Sequence, residues 1–136
     1  MLSGDVVRDL LDRCTAAVLT TYRRDGSAVA TPVWFRAEQD TVEVVIAQTD
    51  VKLRRLQQGQ RCSLTVFETT PPFRALRIDA TPEFSRNGVD AARLVIASRY
   101  LGSEDGERFA RLRGPATVVS WPVAGAHSWD LTAILP

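Results

Sequence analysis

Residues 16–36 read AAVLTTYRRDGSAVATPVWFR. Two runs rich in β-branched and aromatic residues flank Arg24-Asp25-Gly26 in this stretch. Asp-Gly between such runs is a strong hairpin signal, because both residues tolerate positive φ. The stretch therefore predicts two antiparallel strands. A third run, TVEVVIA at 41–47, follows Glu38-Gln39-Asp40 and extends the hairpin into a three-stranded meander.

The rest of the chain is read outward from there. Upstream, Val6, Val7, Leu10, Leu11 and Cys14 fall at helical spacing, with Ser3 or Asp5 as candidate cap. Downstream, residues 50–58 read as a short helix stopped by Gly59. RCSLTVFE (61–68) and FRALRIDATPEFS (73–85) are two more strand runs, joined by a loop containing Pro71-Pro72. Residues 89–100 and 104–113 read as helices broken near Gly102, and ATVVSW (116–121) and HSWDLTAIL (127–135) close the chain as strands. Many strand runs, few helices and no βαβ alternation predict a mainly β fold, an antiparallel sheet closed into a barrel. No GxGxxG or GxxxxGK[ST] occurs, which disfavours a doubly wound nucleotide-binding fold.

Composition narrows the function classes. At 136 residues the chain is expected to be one domain, spanning 1–136. An apolar share of 45% and a charged share of 24% are globular values. A net charge of +1 supplies no basic field, so no nucleic-acid partner is expected. No apolar run exceeds four residues, so no membrane span is expected. The opening MLSGDVVRDLLDR lacks a signal-peptide pattern, and Cys14 and Cys62 stand apart; both point to a reduced, cytoplasmic setting. No His, Cys or carboxylate cluster has ligand spacing, so no metal is expected. His127 is the sole histidine and lacks a nucleophile motif, which leaves it a structural or exposed role.

One basic segment carries more. In Thr49-Asp50-Val51-Lys52-Leu53-Arg54-Arg55-Leu56, helical projection puts Leu53 and Leu56 on one stripe. Lys52 and Arg55 lie beside that stripe and Arg54 points away from it. Lys52 and Arg55 can thus hold a phosphate at the rim of the core, with the Thr49 hydroxyl and free helix N–H groups adding to the attraction. A solvated basic helix face is the other reading of the same spacing.

The string LTTYRRDGSAVATPVWFR, then a second strand, then TDVKLRRL ahead of RCSLTVFE, resembles the pyridoxamine 5′-phosphate oxidase-like split-barrel family. More narrowly it is similar to its branch of deazaflavin-dependent oxidoreductases. The likeness is specific over 17–68. It continues more loosely through FRALRIDATPEFS, and through RYLG and RFARLRG. It implies an antiparallel, Greek-key-type split β-barrel with a few peripheral α-helices. It further implies a homodimer with two flavin-type sites at its interface, and hydride transfer to a small organic acceptor.

The residue roles that follow are those the resemblance implies. The backbone of Thr31, Pro32, Val33 and Trp34, continuing to Phe35, would lie along the ring system. Thr49, Lys52 and Arg55 would hold the phosphate of FMN or of the deazaflavin F-420. Asp50-Val51 stands where family members often carry Gly or Ser, and an acid near a phosphate is unfavourable unless it caps the helix and points away. Arg54, Arg61 and Arg74 would line a groove for an acidic cofactor tail if they converge. Trp34 is open between ring stacking and a core or interface role; Arg77, Trp121 and Trp129 are likewise open. No residue is assigned to catalysis, and a non-catalytic FMN- or small-ligand-binding protein on the same scaffold is the alternative reading.

Overall fold

A computed structural model describes residues 2–13 and 16–136. The place expected for Cys14 on the first helix lies outside the described residues. β1 (Ala16–Tyr22) and β2 (Ala28–Val33) form the expected hairpin, with Val18 opposite Pro32 and Thr20 opposite Ala30. Its turn uses one left-handed residue: Gly26 has φ +88°, and its N–H donates to the Arg23 carbonyl at 2.9 Å. Asp25 acts through its side chain, accepting from the Ser27 N–H at 2.9 Å and the Ser27 hydroxyl at 2.6 Å.

The meander does not form. The run after the hairpin breaks at Trp34-Phe35, and β3 (Arg36–Glu38) pairs with β4 (Thr41–Ala47) in a second sheet. The break is stable because Phe35 is fully buried and its backbone finds side-chain partners. Its N–H donates to the Tyr100 hydroxyl at 3.4 Å, and its carbonyl accepts from the Arg99 guanidinium. The run 73–85 breaks likewise, into β6 (Ala75–Ile78) in the first sheet and β7 (Glu83–Ser85) in the second. In the closing run only β9 (His127–Trp129) is strand, and the residues after it form turns.

With β5 (Ser63–Phe67) and β8 (Ala116–Pro122) the sheet orders are β2-β1-β5-β6-β9 and β3-β4-β8-β7, every pairing antiparallel. This is the split, mainly β arrangement expected, with nine strands among the described residues where the sequence shows seven runs. Leu19, Leu64, Val66, Leu76 and Ile78 of the first sheet meet Val42, Val44, Val119 and Trp121 of the second in one core. The Trp121 indole N–H donates to Cys62 Sγ at 3.4 Å, so both are interior packing residues. Burial pushes the Cys62 thiol pKa up.

Four helices flank the sheets among the described residues. α1 (Gly4–Asp12) is capped by Ser3, whose hydroxyl accepts from the Val6 N–H at 3.4 Å, and it buries Leu10 and Leu11. α2 (Val51–Gln57) buries Leu53 and Leu56, the stripe expected of it. α3 (Val89–Leu101) and α4 (Ser103–Arg111) form a helical hairpin through Gly102, whose φ is +84°.

Gly106 sets how closely that hairpin packs. A Cβ there would lie 2.7 Å from both the Cα and the N of Ser98. Ala in place of Gly normally stabilises a helix interior by about 1 kcal/mol. Here the contact is with backbone, and Gly106→Ala is expected to lose about 1–3 kcal/mol net, as overpacked sites do. Urea unfolding reads this directly. An unchanged or raised midpoint would show that α4 moves freely over α3.

Candidate functional site

An apolar-walled cavity lies where the end of β2, the second half of β4, the start of α2 and the α3–α4 hairpin meet. Its volume is about 690 Å³, within the span of small-molecule and cofactor sites. Pro32, Val33 and Trp34 form one wall, and Thr49, Asp50 and Lys52 form the mouth of the α2 side. Ile96, Ala97 and Phe109 of the helical hairpin complete the lining named here.

Trp34 is the hinge of this geometry. Its ring stacks on Tyr100, centroids 5.3 Å apart and planes at 11°, and tilts against Phe109 at 5.1 Å and 47°. It remains 36% exposed. The sequence left Trp34 open between packing and ring contact; the structure gives it a packed face and an exposed edge on the cavity. Arg113 extends the aromatic wall, its guanidinium 4.0 Å from the Phe109 centroid.

Thr31 and Arg55 are expected site residues that do not line the cavity. Thr31 is half-buried opposite Leu19 in the β1–β2 ladder. Arg55 is half-buried and donates from Nη1 to the Thr21 hydroxyl at 3.4 Å, whereas Arg54 is exposed. The helical projection therefore separated the two arginines in the right sense.

Asp50 does two things. Oδ1 accepts the Lys52 N–H at 3.0 Å, capping α2, and Oδ2 pairs with Lys52 Nζ at 2.7 Å. It caps the helix, but it does not point away from the lysine. The cap also occupies a first-turn amide that the sequence reading offered to an anion. Partial burial opposes ionisation of Asp50, yet the two Lys52 hydrogen bonds and the Lys52 and Arg55 charges outweigh it. Its pKa is lowered from the ordinary value. Lys52 is thus balanced by Asp50, and Arg55 supplies the surplus positive charge at this end.

The wider basic groove expected from Arg54, Arg61 and Arg74 does not assemble. Arg61 stacks over the Tyr22 ring at 4.0 Å, and Arg74 is held by Glu68 at 2.8 Å and Asp9 at 3.0 Å. Arg77 pairs with Asp79 at 3.2 Å on the surface, and His127 sits opposite it on β9. Trp129 is 40% exposed on the same edge strand.

What the sequence reading missed lies on the helices. Arg93 is 8% exposed, lines the cavity and donates from Nη2 to the Gly114 carbonyl at 2.7 Å. The signal was present: Arg93 shares the buried face of α3 with Ala92, Ile96 and Ala97, an arginine on an apolar stripe.

A family model described as pyridoxamine 5′-phosphate oxidase matches residues 3–130. Among solved structures, the conserved hypothetical protein Rv2991 from Mycobacterium tuberculosis superposes with a TM-score of 0.82 at 17% identity, covering 100% of this chain and 90% of that one. A structure described as an F420 reductase gives 0.71 at 18%, covering 93% and 98%. An FAD- and heme-binding protein from Mycobacterium smegmatis gives 0.70 at 19%, covering 91% and 68%. At these identities the structural likeness is one of fold. The curated proteins contain no sequence match.

Proposed function

Because the chain belongs to the pyridoxamine 5′-phosphate oxidase family, we propose that it is an oxidoreductase that binds a flavin-type cofactor, F-420 or FMN, in the 690 Å³ cavity. In this reading it passes hydride to a small organic acceptor. The observation that carries this reading is the cavity itself. Residues 32–34, Thr49 and Lys52, singled out for a ring and its phosphate, line one space with an aromatic and apolar wall. That donor set fits the group: apolar surface for a ring, backbone for its polar edge, and cations for an anionic end.

When bound, the cofactor supplies the hydride chemistry, and the chain supplies binding, orientation and exclusion of water. Pro32, Val33 and Trp34 would flank the ring, with Tyr100 and Phe109 fixing the Trp34 rotamer from behind. Lys52, released from Asp50 or shared with it, would meet the phosphate, and Arg55 would keep the local field positive. We further infer a homodimer. One face of the first sheet carries Val18, Thr20, Thr65 and Phe67, each of them only half-buried. A symmetric partner is the commonest cover for such a face.

Absorbance-monitored titration with FMN and with the deazaflavin tests the reading, and light scattering tests the dimer. Binding of neither cofactor below about millimolar would sink the cofactor claim, and a stable monomer at micromolar concentration would sink the interface. Bound cofactor that no acceptor discharges would favour the non-catalytic binding protein. Within the same titration, Arg55→Ala is expected to weaken binding about tenfold, and Arg54→Ala less than twofold. The reason is that Arg55 carries the surplus charge beside Asp50 and Lys52, while Arg54 faces water. Equal losses would mean that unspecific field strength, not placement, explains the basic helix.

A further inference from the structure

A second cleft, of about 590 Å³, opens on the far side of Arg93. It shares Arg93, Arg113, Gly114 and Pro115 with the cofactor cavity, so the two form adjoining compartments. We propose that this second cleft is an anion subsite, taking a carboxylate- or phosphate-bearing extension of whatever occupies the first. The proposal rests on the cofactor reading for the ligand's ring, but not for the anion subsite itself.

Three arginines, Arg86, Arg93 and Arg113, face a single acid, Asp90, across this cleft. Arg93 is the decisive one. It is buried to 8% exposure, yet no carboxylate lies within ion-pair distance of it among the described residues. Its one hydrogen bond runs from Nη2 to a neutral carbonyl, that of Gly114, which leaves Nε and Nη1 without a protein acceptor. Neither of these two nitrogens is sealed from water, so they stay open to an anion that enters. The start of α3 adds to the same field. Gly88, at its N-cap, provides no side-chain cap, and Val89, Asp90 and Ala91 of the first turn all line the cleft.

Two sources could bring this chemistry: an acidic tail on the cofactor, or a carboxylate on the substrate. Citrate serves as a probe independent of either, followed by amide shifts of Val89, Asp90 and Ala91. Saturable millimolar binding is expected. Arg86→Ala should weaken it about threefold, Asp90→Asn should tighten it about twofold, and Arg93→Gln should abolish it, with thermal melts confirming the fold of each. If Arg93→Gln fails to fold, the opposed shifts of the two surface variants decide the matter alone.

The cofactor arm compares the deazaflavin with and without its oligoglutamate tail. A tail-dependent gain in affinity that Arg86→Ala reduces assigns the subsite to the cofactor. Citrate binding with no tail effect assigns it to an acidic substrate. Citrate binding in a protein that takes no flavin would uphold the subsite and remove the cofactor reading. Absence of any saturable citrate shift, together with equal affinities for both deazaflavin forms, would overturn the subsite while leaving flavin binding intact.

Discussion

Lys52→Glu is expected to abolish cofactor binding, at least a hundredfold loss, while the protein stays folded. Lys52 stands at the mouth of the cavity with its ammonium 2.7 Å from Asp50 Oδ2. In wild type the sum of Asp50, Lys52 and Arg55 leaves one positive charge for an incoming phosphate. The variant replaces that with two carboxylates against one guanidinium, so attraction becomes repulsion. Loss of a charge-assisted hydrogen bond alone is worth about 1.5–3 kcal/mol, one to two decades in affinity, before repulsion is added. The fold is insulated because the α2 cap runs from the Lys52 backbone N–H to Asp50, not through the side chain. The buried stripe of Leu53 and Leu56 is untouched as well. Cofactor titration beside a thermal melt measures both halves. A folded variant that binds as tightly as wild type would place the phosphate away from α2.

Local chemistry explains which parts of this architecture could be read in advance. The β1–β2 hairpin was legible because Asp25 and Gly26 determine a turn within four residues. The leucine stripe of α2 and the contrast between Arg54 and Arg55 were legible for the same reason, helical spacing over one short segment. The break at Phe35 was not, since its backbone groups are satisfied by Arg99 and Tyr100, about 65 residues onward. Nothing in TPVWFR itself signals an interruption, so a continuous strand was the natural reading. The helical wall of the cavity was hidden likewise. Phe109 and Arg113 become site residues only because Gly106 lets α4 lie against Ser98 and carry them over Trp34. Arg74 shows the converse: free in sequence, it is committed in space to Glu68 and Asp9.

That commitment leads to the second large effect. Arg74→Met is expected to destabilise the fold by about 2–3 kcal/mol at pH 7, near the low end for breaking a buried ion pair from one side. Arg74 donates from Nε and Nη2 to the two Glu68 oxygens at 2.8 and 2.9 Å, and also bridges to Asp9 on α1 at 3.0 Å. Methionine keeps the apolar stem but leaves the Glu68 carboxylate buried without its counter-charge. The pH dependence carries the signature. In wild type, hydrogen bonds from Arg74 first of all hold the Glu68 pKa below its ordinary value of 4.5, against the opposing effect of burial. A lowered folded-state pKa gives stability that is present above the unfolded value and lost as pH falls through the folded one. In the variant the side-chain bonds from residue 74 are gone, while its backbone N–H, 3.0 Å from Glu68 Oε1, and the Arg13 charge remain against burial. The ionised carboxylate thus loses its largest stabilising partner at neutral pH, and that loss no longer counts once Glu68 is protonated. The gap between the two proteins should therefore be widest at pH 7 and shrink steadily below about pH 4.5. Urea midpoints at pH 7, 5 and 4 measure it. A gap of constant size across that range would mean that Arg74 contributes packing alone, and that its contacts to Glu68 and Asp9 carry no net electrostatic stabilisation.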